Sequence, residues 1–331
     1  MQELISLSTG IKEQRAFAEG LLPFLEEFSL AGIELLPLGD VPPAFFSCII
    51  GVHLPFQPVW LPFWLEDHHY LAQVFPGLEN LERFFGGKKP EDFITKVKVW
   101  FKKALALRPS YIVIHASHCG LEEVFSLHFR YDSQTVLSAV AELLNLVFEE
   151  FSSEALPWIL FENLWWPGLR TFSPAEIEFF FKKLAISEKV VGLVLDTSHL
   201  LNTSYLLGQP YPIRGPLSPR QAFSLLLTLL EGFPREIRKL IKVVHLNFSP
   251  RADLFRPDME GLKKLWEEKD PLKRYCLARK KVLSLDPHLP FEGVELKKLE
   301  EFLEPIFLVH ELRFENLATF KDFFQRQRQS L

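Results

Sequence analysis

Eight short aliphatic runs, separated by longer segments with helical spacing, constrain this chain more than any other feature. The runs are ELISLS near residue 5, GIELLPL near 35, CIIGVHL near 50, SYIVIHA near 112, PWILFEN near 160, VGLVLDT near 194, KVVHLNF near 245 and IFLVHEL near 308. Between them lie amphipathic stretches such as Ile94 to Leu107, Gln134 to Phe151, Pro174 to Leu184, Pro219 to Leu230 and Arg313 to Arg328. Strand, helix, strand, helix is the order of a parallel sheet, and eight strands is the number that closes a (β/α)8 TIM barrel. An open doubly wound sheet would need a glycine-rich phosphate turn after an early strand, and neither GxGxxG nor GxxxxGK[ST] occurs. The 331 residues suit one barrel domain spanning 1–331, with no linker or repeat to divide it.

Composition narrows the setting. With 37 Lys and Arg against 42 Asp and Glu, the net charge of -5 presents no basic field to nucleic-acid phosphates. Three cysteines, Cys48, Cys119 and Cys276, are an odd number without metal-ligand spacing. They fit reduced thiols and a cytoplasmic location. No run of about 18 apolar residues is present, so no membrane span is expected.

Two segments exceed the minimal alternation. Residues 56–87 follow the third strand and are rich in Trp, Phe and Pro, which reads as a long βα loop with helical pieces. Residues 250–285 follow the seventh strand and carry charges at helical spacing, which reads as a helical insertion. Both leave the C-terminal ends of strands, the face on which barrel enzymes build their sites.

Barrel strands are buried on both sides, so an ionisable side chain at a strand end needs a reason. Six of the runs end in one: His53, His115, Glu162, Asp196, His245 and Glu311. His199 follows in DTSH, and Asp286 and His288 in DPHLPFEG. Singly, each is readable as a hydrogen-bonded rim residue. Jointly they are imidazoles and carboxylates, the donors that zinc, manganese and iron take where cysteine is absent. A divalent metal centre at the barrel mouth is expected. His310 is excluded from it, because side chains alternate along a strand and Glu311 claims the inner face.

The series ENL at Glu162, LDTSH from Leu195, HLN from His245 and DPHLPFEG from Asp286 resembles the xylose-isomerase-like TIM barrels. That superfamily contains endonuclease IV and the sugar-phosphate isomerases and epimerases. The resemblance implies up to three ions: one on His53, His115 and Glu162, a second on Glu162, Asp196, His245 and Glu311, a third on His199, Asp286 and His288. An isomerase or epimerase would need only Glu162, Asp196, His245 and Glu311. The segment between His245 and Asp286 is longer than in endonuclease IV, and the DNA-reading loops of that enzyme are not recognisable.

Hydrolysis of a phosphoester, with Glu162 and Glu311 as catalytic carboxylates within a centre of one to three ions, is the leading expectation. The alternatives are a single-metal sugar or sugar-phosphate isomerase or epimerase that moves a proton between Glu162 and Glu311, and a metal-stabilised binding protein without catalysis. Asn163, Trp165, Trp166, Asn247 and Arg251 are the expected substrate contacts, with the two tryptophans walling the pocket against a ring face. Arg170, Arg214 and Arg256 are further phosphate candidates. A small sugar- or phosphate-containing substrate is favoured over abasic DNA.

Overall fold

The computed structural model describes residues 1–17, 20–152, 156–210, 212–213 and 215–331, so the candidate Arg214 lies outside the described residues. Eight strands form a closed barrel: β1 (Gln2–Ser8), β2 (Gly32–Leu36), β3 (Ile49–His53), β4 (Tyr111–His115), β5 (Trp158–Glu162), β6 (Val191–Asp196), β7 (Ile241–Leu246) and β8 (Phe307–His310). Each is parallel to its neighbours in chain order, and β8 returns to pair with β1. Helices Pro90–Ala106, Ser133–Phe148, Pro174–Phe181, Pro219–Glu231 and Leu317–Arg328 pack around the outside. The last begins later than its hydrophobic spacing suggests, because Asn316 accepts from Thr319 N and caps it there.

The barrel interior is a small apolar cluster including Leu4, Val113, Leu160, Val194, Val243 and Val309, separate from the larger core between sheet and helices. Strand side chains repeat every two residues. Two residues beyond Val113, Leu160, Val194, Val243 and Val309 come His115, Glu162, Asp196, His245 and Glu311, so all five inherit the inward face. Register does the rest: His115 is level with Glu162, and Asp196 with His245. Gly51 occupies an inward position on β3, where a Cβ would stand 2.2 Å from the Tyr111 ring. The glycine thereby admits a tyrosine to the barrel interior.

Residues 56–87 hold three helices, Leu61–Trp64, His68–Val74 and Leu78–Phe85. Their aromatic side chains are largely core: Phe63 stacks on Phe85 at 4.2 Å, and the buried Trp60 donates to Ser117 O. After β7, residues 250–285 form a short turn and two helices, Met259–Glu267 and Pro271–Leu285. The second has 15 residues, about 22 Å. It reaches across the mouth to the loop after β3, where Arg274 donates to Gln73 O at 2.6 Å and Tyr275 meets Phe84 at 5.4 Å. Arg274 also donates to the Glu268 carbonyl, fixing the corner between the two helices.

Candidate metal centre

The nine metal-ligand candidates named above come together at the mouth in three touching groups. In the first, His53 Nε2 and His115 Nε2 lie 3.0 Å apart, and 3.0 and 2.9 Å from Glu162 Oε2. His53 Nδ1 is 2.9 Å from the Leu54 carbonyl, which can only accept, so Nδ1 carries the proton and in the neutral ring Nε2 offers a lone pair. A triangle of donors this small suits metal bonds of about 2.1 Å.

In the second group, His245 Nδ1 lies 3.0 Å from Glu311 Oε2, 3.6 Å from Glu162 Oε1 and 4.0 Å from Asp196 Oδ2. His245 Nδ1 and Glu311 Oε2 are both buried atoms without a hydrogen-bond partner. Orphaned polar atoms facing each other at this depth are costly, and a shared cation removes the cost. In the third group, Asp286 Oδ2 stands 2.9 Å from His199 Nε2 and 3.1 Å from His288 Nε2. Asp196 is also in reach: it, His199 and His288 offer donor atoms within 4.8 Å of one another. By donor type and geometry the residues fit divalent ions.

Neighbouring side chains hold these donors still. Ser198, Ser249 and Asn202 all donate to Asp286 Oδ1, leaving Oδ2 for the imidazoles. Asn247 donates to Asp196 Oδ2 at 2.8 Å, and the backbone N–H of His199 donates to Oδ1. Asn163 grips the Asp196 backbone from both sides, donating to its carbonyl and accepting from its N–H. Asn163 is fully buried in this grip, both of its amide atoms engaged with the Asp196 backbone.

Charge alternates through the cluster. Burial works against ionised His199 and His245, but the surrounding carboxylates outweigh it and hold both well above the ordinary imidazole range. His288 is pushed up to about 9, burial again being outweighed, here by Asp286 and Glu311. Despite burial, Glu162 and Asp286 are held well below the usual carboxylate range by those histidines and by His115. Burial pushes Asp196 up to about 7, against the pull of His199 and His288. The same clustering of carboxylates that favours charged imidazoles here would favour bound cations.

Two of the expected substrate contacts are engaged within the protein. Trp165 is fully buried, packed edge-on against Phe255 at 5.4 Å, because the chain turns back after Glu162 through Leu164 N to Leu169 O and Gly168 at φ +126°. Arg251 is exposed and forms a two-pronged pair with Asp253, two residues on. Trp166 does border open space, its indole N–H donating to Ser117 Oγ. His310 turns outward to Glu3 and Gln327.

Glu34, in the middle of β2, is a part of the site that reading strand ends does not find. It is wholly buried, with its two oxygens 3.0 and 3.1 Å from His245 Nε2, and it accepts from the Tyr111 hydroxyl at 2.9 Å. The signal was present: a glutamate inside the apolar run GIELL demands a partner as much as one at a strand end does.

No family model matches the chain, and no curated protein matches it in sequence. Among solved structures, endonuclease IV from Thermus thermophilus aligns over 99% of this chain and 100% of its own at 15% identity and a TM-score of 0.43. The apo form of 3-keto-D-glucoside 4-epimerase, YcjR, from E. coli aligns over 99% of both chains at 12% identity and a TM-score of 0.51. At such identities the likeness is one of architecture. In fold, this chain is a (β/α)8 TIM barrel, the architecture it shares with the epimerase.

Proposed function

We propose that this protein is a divalent-metal-dependent enzyme that hydrolyses a phosphoester. The observation that carries the reading is the third donor group, His199, Asp286 and His288, joined to the other two and held by its own hydrogen bonds. A single-metal isomerase or epimerase has no need of it. Bound ions would supply Lewis acidity, lowering the pKa of water towards neutral and neutralising charge on a phosphoryl group. Glu162 would keep the first two groups in register, since its Oε2 faces His53 and His115 and its Oε1 faces His245. Glu311 would complete the second group, Asn247 and the His199 N–H would fix the Asp196 carboxylate against rotation, and Asn163 would hold the Asp196 backbone.

Metal analysis tests this. Wild-type protein purified without a histidine tag is expected to hold about three ions per chain, and the double variant H199A/H288A about two. Phosphoesterase activity should disappear with chelation. One ion per chain, unaffected by the double substitution, would favour the ketose-interconverting reading, and no ion would favour a binding protein.

A second expectation concerns Glu34. A carboxylate on the far nitrogen of a ligating imidazole fixes the tautomer and strengthens the donor. Glu34→Gln should therefore weaken metal binding by about 10–100-fold in competition with a chromogenic chelator. Unchanged affinity would make Glu34 a packing residue.

A further inference from the structure

Beside the donor groups lies a cavity of about 190 Å³ that the metal chemistry does not use. It is a half-open pocket lined by Phe56 from the loop after β3, Leu121 and Val124 from the loop after β4, Trp166 from the loop after β5, and Ala278 and Val282 from helix Pro271–Leu285. Phe56 is a wall common to cavity and site, its ring centroid 4.5 Å from that of His115 and its plane parallel to Trp166 within 7°. On the other side Leu283 borders the cavity, and its carbonyl accepts from Arg313, which follows Glu311 by two residues.

The lining decides what such a space accepts. Trp166 has its N–H committed to Ser117, the Cys119 thiol is turned to the Gly120 carbonyl, and Arg279 lies exposed at the rim, which leaves Tyr275 as the one lining hydroxyl among the described residues. A sugar ring would bring hydroxyls for which the walls offer few partners, and each one buried unpaired costs about 1–3 kcal/mol. An aromatic ring brings none. In size and apolar lining, though open on one side, the pocket is comparable to the apolar cavities of about 150 Å³ that take up benzene.

From this we infer that the substrate is a phosphoester whose organic part carries an aromatic or similarly compact apolar group, and that this group seats in the cavity beneath helix Pro271–Leu285. The inference rests on the phosphoester reading and narrows the sugar or ring face expected from sequence to an apolar ring. It makes the insertion after β7 the element that selects the substrate, because Ala278 and Val282 lie one helical turn apart on its inner side.

Calorimetry on the metal-loaded protein with two non-hydrolysable probes, benzylphosphonate and methylphosphonate, tests it. Wild type should bind the benzyl compound at least about tenfold more tightly. In Ala278→Phe, which fills the cavity, the ratio should fall to about twofold or less. Val282→Phe, at a half-buried position that better tolerates added volume, guards against misfolding of the first variant. Equal affinities in wild type, or a preference that survives both substitutions, would overturn the inference and leave the phosphoester reading standing. Should neither phosphonate bind, benzyl alcohol separates the remaining cases. Binding that both variants abolish would keep an aromatic subsite and discard the phosphoester, and no binding would discard both.

Discussion

Replacing Glu162 by glutamine is expected to empty two donor groups at once. Its Oε2 lies at about 3 Å from His53 and His115, and its Oε1 at 3.1 Å from His199 and 3.6 Å from His245. A neutral amide keeps the volume but offers one oxygen, and its nitrogen would face a ring nitrogen or a cation. Metal analysis should therefore find about two ions fewer in Glu162→Gln, against about one fewer in Glu311→Gln, which touches the second group. Phosphoesterase activity should fall by about a thousandfold or more, since a Lewis-acid contribution of several kcal/mol corresponds to that factor. Equal ion losses in the two variants would show that Glu162 does not join the groups.

The largest effect on stability is expected at Trp165. Its side chain is fully buried, 4.7 Å from the Trp166 ring and 5.4 Å from Phe255, and its indole N–H has no hydrogen-bond partner. Trp165→Ala should cost about 3–5 kcal/mol in denaturant unfolding, a large part of the stability of an ordinary domain. Trp165→Phe should cost much less, because it keeps a ring and gives up no hydrogen bond. If Trp165→Ala instead folded with wild-type stability and lost substrate affinity, the residue would be a pocket wall after all.

These two residues, three apart in sequence, mark where reading from sequence succeeds and where it stops. Glu162 was legible because it ends an aliphatic run, and within a strand the two-residue period says which way a side chain faces. The same period placed His115, Asp196, His245 and Glu311 and set His310 aside. Beyond Glu162 the strand ends and no period applies. Asn163 turns to the β6 backbone and Trp165 to the core, directed by the turn at Gly168 and by contacts with distant segments. Arg251 shows a related limit: past the strand its side chain pairs with a local partner, Asp253, which no strand period foretells. Glu34 was overlooked because attention to strand ends passes over the middle of a strand. The cavity was illegible in principle, since its walls come from four segments that meet only in the folded barrel.

Helix Pro271–Leu285 carries a consequence beyond its role as a roof. It is a beam with two supports: Arg274 and Tyr275 rest on the loop after β3, and at the other end the chain passes directly into Asp286 and His288. The first support is made by protein contacts alone, whereas the second would stiffen with the ion that the third group would hold. Occupancy there would then set how long an organic group stays beneath the beam, so that scarcity of metal would show first as faster exchange of bound molecules and only afterwards as slower bond breaking.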